Sequence, residues 1–275
     1  MITKIRFGEI DSEVKTCLNQ VFDFMKKKFE MNYVLLLAEG EYWERYSKMS
    51  GNLNPFVIDS RMDRYKDETR LTFLTEFLTQ YYSFGNGNQE VADVLYRMHN
   101  ELMVYCHIWE SKPFLKKLFR ISSIVAGEEY DWHVEVPDMS KHKFIIDVIR
   151  PKFENDLPCL VDIMKKGFHK SLRNAFAHSE YSFDTMNDHK RIWLDTYTGK
   201  SWDIQEISFN DWSERFVYSA LFCYHTLSIN YKRRSTLIED LGRDEFEIDH
   251  PNSRGTKDKV KIKYDKEHDN ISFLE

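Results

Sequence analysis

From Asp11 to Phe29 the apolar residues Val14, Leu18, Val21, Phe22, Met25 and Phe29 return at three- and four-residue steps. This is the period of a helix with one buried face. Tyr33 to Met49 opens on a strongly apolar run and turns mixed, which predicts a helix interrupted near Gly40, before SGNLNP at 50–55 breaks the chain. Asp67 to Phe84 carries Leu71, Leu74, Phe77, Leu78 and Tyr81 on one side, and FGNGN at 84–88 has the composition of a helix stop. Val91 to Trp109 repeats the pattern. Ser111 then opens a further helix with Pro113 in its first turn and Phe114, Leu115, Leu118, Phe119 and Ile121 on its buried face.

The stretch EEYDWHVEVPDMS, 128–140, loses the helical period and reads as a link to a second unit beginning near Lys141. There, Leu160, Ile163, Met164, Phe168, Leu172, Ala175 and Phe176 step along one face of a helix expected from Pro158 to His178, while Lys166, Lys170, Arg173 and, to one side, His169 line another. YSFD and RIWLDTY then read as two strands around the polar TMNDHK, with WDIQEI a candidate third. Ser208 and Asp211 resemble a capping box for a long helix whose apolar face runs through Trp212, Phe216, Ala220, Cys223, Tyr224 and Leu227 to the basic KRR at 232–234. A flexible polar stretch, 249–259, and an alternating terminal hairpin, VKIKYDKEHDNISFL, close the chain. The expected fold is mainly α, a helical bundle with a small β-hairpin insertion and a C-terminal hairpin. It divides into an N-terminal helical layer (1–140), a helical unit (141–241) holding the insertion at about 180–207, and a polar tail (242–275).

Composition sharpens this picture. Aromatic residues make up 15% of the 275 positions, so the core should be built on rings, and only 10 Gly and 6 Pro argue against a turn-dense β fold. A net charge of −6 excludes a generally basic, polyanion-binding surface, so any nucleic-acid contact must rest on a local patch. Cys17, Cys106, Cys159 and Cys223 are dispersed with no CxxC pair, which suits buried, reduced thiols and a cytoplasmic setting. No apolar run reaches the roughly 20 residues of a membrane span, and the first residues lack a signal-peptide core.

The string LRNAFAH, 172–178, is the distinctive one. Asn174 and His178 are four apart and share a helical face, whereas Arg173 and His178 lie about 140° apart on an ideal helix and converge only at a helix end or an interface. These residue types suit RNA cleavage by the 2′-hydroxyl. An imidazole can take or return the proton, a guanidinium can brace the phosphorane, and Asn174 can orient either. Lys165, Lys166, Lys170 and His169 are expected to bind the RNA backbone. One imidazole does not readily make both proton transfers, so a two-fold dimer presenting two copies of His178 is an attractive arrangement. No carboxylate cluster or His/Cys ligand spacing accompanies the string, and neither metal nor cofactor is expected. The alternative is an ordinary helix C-terminus, with His178 on the macrodipole and Arg173 paired to a neighbouring acid.

Other candidates carry less. His99 and His107 are eight apart rather than three or four, and read with His225 as core or surface residues. Arg243 and His250 fit a looser spacing but fall in a helix-poor segment.

LRNAFAHSEY resembles the signature of the HEPN superfamily (higher eukaryotes and prokaryotes nucleotide-binding), in which an Arg, a polar residue, three variable residues and a His close a helix of an all-α bundle. The likeness is specific over about ten residues and looser from Lys141 to Arg234; residues 1–140 resemble no named family. It implies that Arg173 and His178 are catalytic, with Asn174 at the polar position. It also implies a homodimer formed through the motif helix, and a metal-independent endoribonuclease in a toxin–antitoxin or abortive-infection role against viruses. The RNA would be a tRNA or mRNA, and an antitoxin or regulatory protein the partner. The rival expectation is a non-catalytic HEPN scaffold that binds a nucleotide or a partner protein.

Overall fold

Helix α1 (Lys4–Lys28) starts a full two turns before the apolar pattern does, because Thr3 caps it: its Oγ1 accepts a hydrogen bond from the Arg6 amide. The computed structural model describes residues 1–49, 53–84, 90–92, 94–186, 189–195, 203–252 and 255–274. Helix α2 (Glu30–Leu37) comes next, and the interruption expected near Gly40 is real. The backbone there runs against the ring of Trp132, and an added Cβ would lie 2.9 Å from it, so only glycine fits. Beyond Gly40 the chain forms the short strand β1 (Glu41–Tyr42), a single helical turn α3 (Glu44–Ser47) and β2 (Phe56–Val57), which pairs back antiparallel to β1. The resumed helix expected up to Met49 is therefore cut to the one turn of α3. Half of the breaker SGNLNP, at 50–52, lies outside the described residues, as do 85–88 of FGNGN, 187–188 of TMNDHK and 196–202 of the insertion.

Three helices of the first half then come in the expected order: α4 (Met62–Tyr81), α5 (Leu95–Glu110) and α6 (Lys112–Val125). Ser111 caps α6 through its Oγ, which accepts from the Phe114 amide. Residues 128–140 are irregular, yet Tyr130 and Trp132 are buried. The second half opens with one turn, α7 (Lys141–Lys143), widens into i→i+5 turns over 144–149 and tightens over 150–153.

The single helix expected from Pro158 to His178 is two helices, α8 (Pro158–Gly167) and α9 (Lys170–Ala177), with Phe168 and His169 extended between them. Strands β3 (Tyr181–Asp184), β4 (Arg191–Leu194) and β5 (Glu206–Ser208) form an antiparallel sheet in the order β3-β4-β5, with Asp184 opposite Arg191 and Arg191 opposite Ser208. Ser208 caps α10 (Phe209–Ser235), its Oγ accepting from the Asp211 amide as the capping pattern predicts, while the Asp211 carboxylate accepts from the Ser208 hydroxyl. After the short α11 (Leu237–Leu241), the expected terminal hairpin forms from β7 (Lys257–Asp265) and β8 (Asn270–Phe273), and a further strand, β6 (Glu245–Pro251), pairs with β7 to give a sheet in the order β6-β7-β8. Much of the stretch expected to be flexible, 249–251 and 257–259, therefore lies in β6 and β7.

Helix α10, about 40 Å long, is the axis of the fold, packed by α1, α4, α5 and α8. Its Trp212, Phe216 and Phe222 meet rings from both halves of the chain, including Phe77, Tyr105, Trp109, Phe114 and Phe176. Two buried polar clusters fix the helices around that ring core. The carboxylate of Glu101, fully enclosed, accepts from the Tyr82 hydroxyl (2.6 Å), Trp212 Nε1 (2.9 Å) and Arg97 Nη1 (2.5 Å). Loss of water pushes its pKa up, against the pull of Arg97. At the other end of α10, Arg234 donates to the Leu37 carbonyl, to Asp59 and to both the side chain and the carbonyl of Asp269, which joins the terminal sheet to the helices.

Cys17 of α1 and Cys159 of α8 form a disulfide, and Cys106 and Cys223 are free. This corrects the expectation of four reduced thiols: a spacing of 142 residues carries no sign that two helices will bring a pair together. Among the described residues no helix is long and apolar enough to cross a membrane.

Candidate functional site

Helix α9 stops just where the motif ends. His178 is its C-cap, Ser179 turns left-handed (φ +57°), and the amides of Ser179 and Glu180 donate to the carbonyls of Phe176 and Ala175. This double bond pattern is a Schellman stop, with serine where glycine is usual. It leaves the His178 side chain exposed at the helix end, one turn beyond the half-buried Asn174, whose carbonyl accepts from the His178 amide.

The start of α9 is built by contacts from far away in sequence. At Gly167 the chain passes so close to α10 that a Cβ would lie 3.1 Å from Ser219 Oγ and 3.3 Å from its amide nitrogen. Ser219 Oγ donates to the Gly167 carbonyl at 3.0 Å and accepts from Trp109 Nε1 at 3.1 Å. The amide of His169 donates to the Tyr105 hydroxyl at 2.8 Å. These bonds take up backbone groups that a continuous helix would satisfy internally, and so they hold the break open. Phe176 anchors the other face of α9 against Tyr105, Tyr181 and Trp212.

The break divides the expected basic face. Arg173 turns toward α5, where its Nε lies 2.8 Å from Glu110 Oε1, and its side chain is 11% exposed. Nε and Oε1 are close but not aligned for a hydrogen bond, so the contact is one of charge. Glu110 Oε2 takes Lys141 Nζ at 3.0 Å, so one carboxylate bridges two cations. The next residue, His142, is held below the usual imidazole range by burial and by the positive charges of Arg173, Lys143 and Lys170. Sequence reasoning misses Glu110, Lys141 and His142; the only hint is the acid at the end of α5, and nothing in the spacing says what it faces.

Of the four residues expected to bind RNA, Lys166 and His169 face the α1–α10 side. Lys166 pairs with Glu13 at 2.6 Å and lies over the ring of Tyr218, which turns it toward α1 and α10. His169 is partly buried, its Nδ1 without a hydrogen-bond partner among the described residues, and burial with the charges of Arg215 and Lys170 keeps its pKa low. Both line a groove of about 670 Å³ together with Arg6, Glu214 and Arg215. Lys170 pairs with Asp203 at 2.9 Å, and Lys165 is exposed. Lys166 and His169 thus lie apart from Arg173, whereas Lys170, paired to the insertion, still adds its charge to that of Arg173 at His142.

Three further histidines have structural partners: His225 Nε2 meets Asp11 at 2.7 Å, His250 bonds the Phe56 carbonyl and packs edge-on to Trp132 and Phe273, and His99 bonds the Tyr181 hydroxyl. No family model, no curated protein and no solved structure matches this chain.

Proposed function

We propose that the protein is a metal-independent endoribonuclease in which His178 exchanges protons with RNA and Arg173 stabilises the phosphorane, working as a homodimer in a toxin or abortive-infection role. The observation that carries this reading is the end of α9: an imidazole exposed at a stopped helix, on the same short helix as a guanidinium that a carboxylate positions. A neutral imidazole takes the 2′-hydroxyl proton as that oxygen attacks the adjacent phosphorus. An imidazolium gives a proton to the departing 5′-oxygen, leaving 2′,3′-cyclic phosphate and 5′-hydroxyl ends. The partner copy of His178 supplies the second proton transfer. The LRNAFAHSEY resemblance to HEPN ribonucleases supports the assignment.

The test is RNA cleavage in EDTA, with the ends of the products identified. His178→Ala should lower the rate by about 10²–10⁴-fold, the usual contribution of a general acid or base. Equal cleavage by wild type and variant refutes the catalytic role.

A second reading, a HEPN-like module that binds a nucleotide or protein without chemistry, is favoured by one observation: Arg173 is mostly covered and already faces Glu110. On that reading purified protein leaves RNA intact and His178→Ala changes no rate.

A further inference from the structure

Between α4 and α5 lies a groove of about 630 Å³ that touches the candidate site through Glu110, which lines it and pairs with Arg173. Its volume falls in the range of roughly 300–1,000 Å³ typical of small-ligand pockets. Three features make it receptive to an anion. Arg70, 8% exposed, lines the groove; its Nη1 donates to Asp67 at 2.8 Å, and its Nε is covered and has no hydrogen-bond partner among the described residues. The fully buried Asp67 with which it pairs is shared with Lys117 at 2.7 Å, so one carboxylate faces two cations. Ser111 also lines the groove, and it caps α6, so the positive end of a 14-residue helix opens there.

The rim adds a flat apolar surface. Along α4, Lys66, Arg70 and Phe73 stand at four- and three-residue steps on one face. Phe73 is 45% exposed, and the Lys66 side chain 55%. Across the groove stands His107, one turn before Glu110 on α5. An aromatic ring beside cations is what a nucleotide needs: a face for the base and donors for the phosphate.

We propose that this groove seats one nucleotide of the RNA strand beside the scissile bond, with its phosphate on Arg70 and Lys66 at the head of α6 and its base on Phe73. The assignment rests on the ribonuclease reading, and it places part of substrate recognition in the N-terminal half of the chain. The strand leaves the groove past Glu110 and reaches α9, which runs antiparallel to α5: Trp109 meets Phe168, Cys106 lies by the Arg173 carbonyl, and His99 bonds Tyr181.

The test is binding of a fluorescent, uncleavable 2′-O-methyl oligoribonucleotide to the full chain, read by anisotropy over a salt series. Phe73→Ala should weaken binding by about 5- to 150-fold, the loss of one base–aromatic stack of roughly 1–3 kcal/mol. Lys66→Ala should reduce the slope of log affinity against log salt by about 0.7, one phosphate contact on a single strand. Both side chains are exposed, and thermal melts of the variants establish that they fold. Affinity indifferent to both substitutions, in protein whose cleavage still depends on His178, overturns the groove and leaves the chemistry standing. Binding that needs Phe73, in protein whose cleavage ignores His178, supports the groove and refutes the catalytic role. Phe73-dependent binding of 5′-AMP with oligonucleotide binding unaffected overturns the strand as occupant.

Discussion

Replacing Ser219 by alanine removes one hydroxyl and orphans two buried groups. The indole N–H of Trp109 and the carbonyl of Gly167 both bond that oxygen, and Trp109 and Ser219 are fully buried. Each buried group left without a partner costs about 1–3 kcal/mol, so the expected loss is about 2–6 kcal/mol, a large share of the roughly 5–15 kcal/mol that holds a typical domain together. Urea unfolding followed by tryptophan fluorescence measures it, and the midpoint should fall with the slope unchanged. Gly167→Ala attacks the same contact from the other side, forcing a methyl to within 3.1 Å of Ser219 Oγ and 3.3 Å of its amide nitrogen, at a cost of about 1–3 kcal/mol. The double variant should lose less than the sum, because removal of the hydroxyl relieves the nearer clash. A loss below about 0.5 kcal/mol for Ser219→Ala, or strict additivity in the pair, would mean that these bonds do not hold the α8–α9 break.

Ser179→Gly should stabilise the protein by about 0.5–1 kcal/mol, because glycine accepts the left-handed turn at φ +57° without the side-chain penalty; a lowered thermal midpoint contradicts this. Alkylation of the unfolded protein should count two thiols before reduction and four after, and opening the Cys17–Cys159 link, which spans 142 residues, should cost up to about 5 kcal/mol by chain entropy. His107, His142, His169, His225 and His250 are all held below the ordinary value of 6.5, with burial the first cause in each. The unfolded chain therefore binds protons more readily, and their contribution, complete above about pH 6.5, is lost as pH falls toward the folded values. NMR titration should find all five midpoints below 6.5, and a midpoint above that for the His142 ring would refute the cationic surroundings assigned to it.

Periodicity alone places α1, α4, α5, α6 and α10, because each buries one stripe in the ring core and the 3.6-residue repeat records it. Helix α9 illustrates the limit. Leu160 to Phe176 keep a helical period straight through the break, since Phe168 is buried against Trp109 whether or not the backbone is helical. What interrupts the helix comes from Ser219 and Tyr105, and local pattern holds no record of either. The same holds for the site. Arg173 and His178 stand out by type and spacing, but the acid facing Arg173 ends another helix, and the basic residues of the α8–α9 segment turn to different neighbours once it breaks. Strand β6 is hard to read because EFEIDHP alternates only over a short run, beside a stretch rich in turn-forming residues.

The Arg234 cluster makes the last strands inseparable from the helices. Opening the sheet would strip Arg234 and Arg64 of Asp269 and leave the Asp59 carboxylate stretched between the two guanidinium groups, a fault that costs several kcal/mol in a desolvated interior. Fraying at that end is thereby suppressed, and amides of β7 should exchange with deuterium at rates close to those of the middle of α10.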